Sequence, residues 1–287
     1  MEAIGKVKEI WRYPVKSMGG EKLTRTSVGV LGIPGDRGWA LRDEKAGEIR
    51  GAKKLYQLML CSAKFLKEPS ATEIPDAEIE LPDGSHINAS GAETPARLSE
   101  LVGRRVTIWP RQPATAREHY RRAAPDNPDM MVELREIFGR LEDEPIPDLG
   151  QFPPEILQFT SPLGTYFDAF PFHVLTTATL EALSKKNPGA KFDVRRFRPN
   201  LLIETTSKIS GLAEAQWSGR TIRIGKARIK LEMPTVRCVM TTLPTNALPK
   251  DPSVLRTIVR DANQNVGSYS TISQAGEISV GDEVSIE

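Results

Sequence analysis

The stretch that indicates the fold most clearly is Ile222-Arg-Ile-Gly-Lys-Ala-Arg-Ile-Lys-Leu231. Its apolar residues alternate with polar or charged ones on either side of Gly225, which is the pattern of a β-hairpin with one buried face. In the N-terminal part of the chain, short strands with glycine-containing turns recur through residues 1 to about 110, most clearly around Pro82-Asp-Gly84. Such a series favours an antiparallel barrel or sandwich over a doubly wound fold.

The other predicted elements follow the same periodicity and turn signals. Strands are predicted at residues 4–15, 21–30, 39–43, 77–81, 85–88, 105–109 and 201–203, helices at 130–140, 176–183 and 252–260, and a closing hairpin at 276–286. Prolines punctuate residues 111–162, which predicts a connection with a covering helix between two domains, 1–110 and 163–287. The expected fold is mainly β with accessory helices (β/α+β): an N-terminal β-barrel-like domain plus a C-terminal β-barrel domain.

The composition excludes several classes of function. Lys and Arg number 39 against 37 Asp and Glu, and the formal net charge of +2 gives no overall field that would recruit nucleic acid or an anionic membrane. The N-terminus has an early acid, Glu2, and no apolar run long enough for a signal peptide or a membrane span. We therefore expect a cytoplasmic protein with neither nucleic acid nor a membrane as a partner.

The two cysteines, Cys61 and Cys238, are too few for a disulfide framework, a four-cysteine zinc site or an iron–sulfur cluster. Cys61 lies in an apolar run and is expected to be a packed thiol. Pro234 is expected to end strand pairing just before Cys238, which places that thiol at a strand end or on a loop. Arg237 beside it would favour the thiolate, which attacks electrophiles or binds a soft metal. The residues alone leave a second interpretation open, a small buried apolar cysteine.

Two N-terminal turns carry groups suited to a phosphate. Lys16-Ser17-Met-Gly-Gly20 offers a point charge, a hydroxyl and exposed backbone N–H groups after a predicted strand. In the second turn Arg37 presents a planar fork of donors beside Asp36. The ordinary alternatives are a solvated surface lysine and a turn ion pair.

Three arginines precede the strand predicted at residues 201–203: Arg195, Arg196 and Arg198. Charges beside a buried element need partners or a ligand, so this segment is a further candidate for binding. Asn200 follows with an amide that both donates and accepts.

Together these segments resemble the MOSC proteins, in the form that has an N-terminal β-barrel domain and that includes the mitochondrial amidoxime-reducing components and their bacterial counterparts. The resemblance covers nearly the whole chain. It is carried by four short motifs in order: Tyr13-Pro-Val-Lys-Ser17, Asp36-Arg37-Gly-Trp39, Phe197-Arg-Pro-Asn200 and Arg237-Cys238-Val-Met-Thr-Thr242.

The resemblance implies a molybdenum cofactor, molybdenum bound to molybdopterin. The family's phosphate-binding lysine, serine and arginine match Lys16, Ser17 and Arg37, so these three residues are expected to hold the pterin phosphate. It also implies that residues 1–110 are the N-terminal MOSC β-barrel domain and residues 163–287 the MOSC domain.

The resemblance assigns the remaining site residues as well. Arg198 and Asn200 are expected along the pterin, and Cys238 is expected to ligate the metal and to be catalytic. Asp168 is expected near the metal as the second catalytic residue, where it would handle protons or water. Arg237 next to the thiol would offset charge at an anionic metal centre.

The implied activity is reduction of N-hydroxylated or other N-oxygenated small molecules by oxygen-atom transfer. Electrons would come from an external donor such as a ferredoxin or a flavin reductase. Ala169, Phe170 and Val236 replace small polar residues of the amidoxime-reducing relatives, which predicts a more apolar substrate pocket. Three alternatives remain: a sulfur carrier with a Cys238 persulfide, a cofactor carrier without turnover, and a purely structural role.

Overall fold

The structure is a computed structural model that describes residues 2–70 and 72–287. Sixteen strands are present in these ranges: β1 Glu2–Arg12, β2 Glu21–Leu23, β3 Arg25–Val28, β4 Trp39–Asp43, β5 Glu48–Ile49, β6 Ser62–Phe65, β7 Ala77–Glu80, β8 His86–Asn88, β9 Val106–Pro110, β10 Phe172–Thr176, β11 Leu201–Thr205, β12 Thr221–Ile224, β13 Ala227–Val236, β14 Asn265–Gln274, β15 Gly276–Ser279 and β16 Glu283–Ile286.

Short helices lie between and beside the strands. Within the described ranges they are α1 Thr94–Val102, α2 Arg117–Tyr120, α3 Met130–Phe138, α4 Glu155–Gln158, α5 Thr177–Lys186, α6 Val194–Phe197, α7 Ala213–Gln216 and α8 Pro252–Asp261. The longest of them have ten residues, which is half of what a helix needs to cross a bilayer.

Seven strands form a closed barrel in the order β11-β10-β14-β13-β12-β16-β1, and β1 pairs again with β11 to close it. Only the β10–β11 pair is parallel among these neighbours. The alternate, inward residues of the strands fill the interior with aliphatic side chains: Val7, Ile10, Val174, Ile203, Ile229 and Val284. The prediction of a mainly β fold with a barrel and accessory helices is confirmed.

The first strand joins this barrel instead of the sheets that follow it in sequence. β1 pairs with β16 on one side and with β11 on the other, so residues 2–12 complete a barrel built otherwise from residues 172–286. The N-terminal sheets, β5-β4-β9 and β6-β7-β8, surround a second apolar core that includes Leu41, Leu58 and Ile79. The boundaries at residues 110 and 162 stay predictions.

Three local predictions are wrong. The strand predicted at residues 21–30 is divided in two, because β2 pairs with β1 while β3 pairs with β15. Strand pairing does not end before Pro234, because β13 runs on to Val236 and register shifts on both sides of the proline absorb its missing N–H. Residues 276–286 do not form a hairpin, because β15 pairs with β3 while β16 pairs with β1 and β12.

Candidate functional site

A cavity of about 620 Å³ joins the end of β13 to the turn after β1, the segment after β5 and the connection at residues 122–170. It brings together residues that are far apart in the sequence. All eight site residues predicted from the sequence line it: Lys16, Ser17, Arg37, Asp168, Arg198, Asn200, Arg237 and Cys238. Their individual roles stay predictions.

The backbone at three of these positions adopts a conformation that non-glycine residues rarely take. Ser17, Arg37 and Arg198 have φ values of 71°, 49° and 54°, in the left-handed region. Asn263 and Gln264 are the other described non-glycine residues with positive φ. Such conformations cost free energy and persist where the surrounding structure imposes them, commonly at functional sites.

The turn after β1 leaves the Ser17 hydroxyl able to donate into the cavity. Its Oγ accepts a hydrogen bond from the Ala52 N–H at 2.9 Å, so its proton stays free for another acceptor. A Cβ on Gly51 would lie 2.6 Å from this Oγ, so a larger residue at that position would displace the Ser17 hydroxyl.

Lys16 and Lys53 hold the Asp168 carboxylate between them. Lys16 Nζ lies 2.7 Å from Asp168 Oδ1 and 2.7 Å from the Tyr166 carbonyl oxygen, and Lys53 Nζ lies 3.8 Å from Asp168 Oδ2. Burial alone would raise the pKa of Asp168, but the two ammonium groups hold that pKa well below its usual range. Asp168 raises the pKa of Lys53 in turn. At neutral pH Asp168 is therefore an ionised acceptor, and Lys53 carries the proton beside it.

Two guanidinium groups flank the aromatic ring of Tyr13. The Cζ atoms of Arg37 and Arg198 lie 4.5 and 4.3 Å from the ring centroid, within range of cation–π attraction. Burial lowers the pKa of Arg198 to about 10, which still leaves it protonated at neutral pH. This end of the cavity is therefore positively charged.

Asn200 is almost fully buried, and its amide is already engaged by the protein. Its Oδ1 accepts from the His173 N–H at 3.1 Å, and its Nδ2 donates to Asp36 Oδ2 at 2.9 Å. Asp36 also pairs with Arg37, so Asn200 positions the acid that orients this arginine. The predicted pterin contact of Asn200 stays a prediction.

Cys238 lies two residues beyond the end of β13, as expected, and begins a 3-10 turn at Val239–Thr242. Its carbonyl oxygen accepts from the N–H and hydroxyl groups of Thr241 at 3.2 and 3.1 Å, which fixes the turn. The residue is half-buried at the cavity wall. Cys61 is fully buried and burial raises its pKa to about 12, so the prediction of a packed thiol is confirmed.

Arg237 directs its guanidinium into the protein. Its donors reach the carbonyl oxygens of Val266 at 2.8 Å and Phe197 at 3.0 Å, and Nη2 lies 2.6 Å from His173 Nε2. Because a guanidinium has only donors, His173 Nε2 must be the acceptor and must be unprotonated. Burial and the charge of Arg237 hold the pKa of His173 well below its usual range.

This histidine makes stability depend on pH in a defined direction. A base whose pKa is depressed by folding binds protons more readily when unfolded, so its contribution is complete above about pH 6.5 and falls as the pH drops. We expect the wild-type free energy of unfolding to fall by up to about 1.4 kcal/mol per pH unit more than that of His173→Gln below pH 6.5. Urea unfolding at pH 7.5, 6.5 and 5.5 checks this, and parallel curves for the two proteins would contradict it.

The sequence interpretation did not include His173, Lys53 or Tyr269, which also line the cavity. Burial raises the pKa of Tyr269 to about 12, so its hydroxyl remains a donor at neutral pH. Lys53 could have been found from the basic pair Lys53-Lys54 that follows Gly51 after β5, whereas His173 and Tyr269 lie on strands and give no local signal.

Comparisons with known proteins identify the family. Residues 4–102 match the MOSC N-terminal beta barrel domain and residues 164–285 match the MOSC domain. The chain is similar to Mitochondrial amidoxime-reducing component 1 from Mus musculus, 23% identical over 99% of this chain and 83% of the relative, and to the protein of that name from Xenopus laevis, 24% identical over 99% and 82%. A solved structure, the YUAD protein from Bacillus subtilis, aligns over 100% of this chain and 97% of its own with a TM-score of 0.44 and 11% identity. The chain belongs to the MOSC domain proteins that also carry a MOSC N-terminal beta barrel domain.

Proposed function

We propose that this protein binds the molybdenum cofactor and reduces N-hydroxylated or related N-oxygenated small molecules. Membership of the MOSC family and similarity to proteins named amidoxime-reducing components support this function. The structural observation that supports this function most directly is a single cavity with a strongly cationic end and a cysteine thiol in its wall.

The donor set suits a metal that arrives with its own organic ligand. Residues 2–70 and 72–287 contain no group of three or more His, Cys, Asp and Glu side chains that could cage a bare metal ion. Cys238 instead offers one soft sulfur ligand in a pocket with room for a molecule of drug size. A molybdenum held by a pterin would take this one thiolate from the protein.

The cationic end suits the phosphate of such a cofactor. Lys16 uses two of its three N–H donors within the protein, and Ser17 has a free hydroxyl proton. Arg37 supplies a charged fork held in place by Asp36. These three residues would hold the phosphate, while Cys238 would hold the metal.

When bound, the cofactor supplies two-electron oxygen-atom-transfer chemistry, and the balance is one N–O bond cleaved, two electrons and two protons consumed, and one water released. The chain's own residues position the reactants and manage the protons. Asp168 accepts hydrogen bonds as a carboxylate and does not serve as an acid at neutral pH, because its pKa is held low by Lys16 and Lys53. Lys16, Lys53 and the Tyr269 hydroxyl are the groups near it that hold a proton.

Electrons would come from a separate protein such as a ferredoxin or a flavin reductase. The 287-residue sequence has two cysteines, which is too few for an iron–sulfur cluster of its own. The need for a separate electron-donor protein is therefore part of the proposed function.

The test is reduction by a chemical electron source. Holo-protein with reduced viologen should convert benzamidoxime to benzamidine, and NADPH alone should give no product. Cyanide-releasable sulfur on Cys238 after incubation with a cysteine desulfurase, from holo-protein that is inert toward several N-oxygenated compounds, would overturn this function in favour of sulfur transfer.

A further inference from the structure

The cavity has a second wall that is apolar and that the cationic site does not use. It is formed by side chains of α3 and of the segment that follows it: Leu134, Ile137, Phe138, Phe152, Ile156 and Phe170. This wall and the polar end line the same cavity.

Helix α3 turns an apolar stripe toward this space without burying it in a protein core. Met130, Leu134 and Ile137 follow each other at helical spacing, and all three line the cavity. None of them belongs to a buried apolar cluster of the described residues, and Met130 is 54% exposed. Since surface helices gain most of their stability from burying such a stripe, the helix is arranged for an apolar occupant.

The helix is nevertheless fixed in place by polar contacts at both ends. Near its start the buried Glu133 pairs with Lys54 at 2.7 Å. Just after its end, Arg140 Nη2 donates to the Arg237 carbonyl oxygen at 2.9 Å. The apolar stripe is therefore a stationary wall.

The wall reaches the immediate neighbour of the thiol. A Cβ on Gly139, the residue directly after α3, would lie 3.1 Å from Val239 Cα. Because Phe138 at the end of α3 and Cys238 line the same cavity, one molecule of ordinary size can contact both the helix and the reacting end of the site.

Aromatic rings complete this wall. Phe170 stacks on Tyr269 with ring centroids 5.2 Å apart, and Phe152 meets Tyr269 edge-on at 6.2 Å. Stacked rings at a cavity wall suit an aryl or alkyl group. The carboxylates on this side are already paired, Glu133 with Lys54 and Asp126 with Arg50, and Arg122 donates to the carbonyl oxygens of Ile156 and Phe159.

We propose that the substrate carries an uncharged apolar body, aryl or alkyl, that packs against Leu134, Ile137 and Phe152 while its polar end faces Cys238. A cationic body would be desolvated here beside Arg122 and without a free carboxylate as its partner, so it is selected against. The proposal that the reacting end is N-oxygenated rests on the proposed function. The proposal that the body is apolar rests only on the apolar wall of the cavity.

A series of amidoximes tests the proposal in holo-protein with reduced viologen. From benzamidoxime to its 4-ethyl and 4-butyl derivatives, kcat/KM should rise by about fourfold per methylene, the factor expected for burying an alkyl carbon. The 4-trimethylammonium derivative should be reduced least efficiently. Leu134→Gln and Ile137→Asn should raise KM for the butyl compound and leave its kcat and the kinetics of acetamidoxime unchanged, while Met131→Gln, on the exposed side of α3, should change nothing.

Binding of 4-butylbenzamide, which cannot be reduced in this way, separates the two proposals. Titration calorimetry should show binding that weakens about tenfold or more in Leu134→Gln, the expected result of losing several buried alkyl contacts. If no amidoxime is reduced but this binding and its loss persist, the reductase function fails and the apolar site stands. Turnover that is indifferent to substituent size, or binding that is indifferent to Leu134→Gln, would overturn the apolar site.

Discussion

Cys238→Ser is expected to abolish amidoxime reduction while leaving most of the pterin bound. The loss should be about 100-fold or more, because removing a residue that only orients a metal ligand already costs about 10- to 100-fold. Serine is a hard, protonated hydroxyl at neutral pH and does not replace a thiolate toward a soft metal. Three quantities should be measured on the same sample. They are turnover with reduced viologen, the visible and electron paramagnetic resonance spectra of the metal, and the amount of pterin released on oxidation.

The matched control is Cys61→Ala. This second cysteine is buried in the core of the N-terminal sheets and does not line the cavity, so its replacement should keep the spectra and the turnover. Wild-type spectra and activity in Cys238→Ser would remove Cys238 from the chemistry.

Lys16→Ala is expected to have the second large effect, loss of pterin. A hydrogen bond to a charged group contributes about 1.5–3 kcal/mol, so the affinity for the phosphate should fall by about tenfold to 100-fold. The protein should remain folded, because Lys16 lies in a turn and the carboxylate that it leaves behind, Asp168, keeps Lys53 as a partner. The check is to oxidise the purified variant and the wild type and to compare the fluorescence of the released pterin per amount of folded protein.

Two further variants separate phosphate binding from general effects of charge. Lys64→Ala removes an exposed lysine that pairs with Glu78 away from the cavity, and it should keep its pterin. Asp168→Asn frees the Lys16 ammonium from its carboxylate and should retain pterin as well. Equal pterin loss in Lys64→Ala, or none in Lys16→Ala, would contradict a phosphate site at Lys16.

Local patterns predicted the elements whose partners lie nearby in the sequence. β4 has the predicted bounds, and the Asp83-Gly84 turn joins β7 to β8 with Gly84 at φ +80°. Thr176 caps α5 as expected, because its hydroxyl accepts from the Thr179 N–H at 3.2 Å. In each case the sequence pattern and the contact that explains it lie within a few residues of each other in the chain.

Strand β14 could not be predicted in this way. Its sequence, NVGSYSTISQ, is mostly small and polar, yet Ser268 and Ser270 are fully buried between β10 and β13. A Cβ on Gly267 would lie 2.2 Å from His173 Nε2, so that glycine follows from a contact with another strand. The polar strand is specified by its neighbours in the barrel.

The same distinction applies to the candidate site: its residues could be selected from local motifs, but the pairings between them could not. The motif resemblance selected residues that the fold does bring to one cavity, because each motif is a turn or strand end with its own composition. The pairing of Asp168 with Lys16 and that of His173 with Arg237 join residues more than 60 positions apart. Local sequence does not encode such contacts, so the charge states of Asp168 and His173 emerge only from the fold.

The most direct test of the central claim is the molybdenum and pterin content of the wild-type protein purified from a host that makes the cofactor. Binding at one site through Lys16, Ser17, Arg37 and Cys238 predicts about one molybdenum and about one pterin per chain, measured by elemental analysis and by fluorescence after oxidation. Folded protein from the same host that carries neither metal nor pterin would contradict the claim.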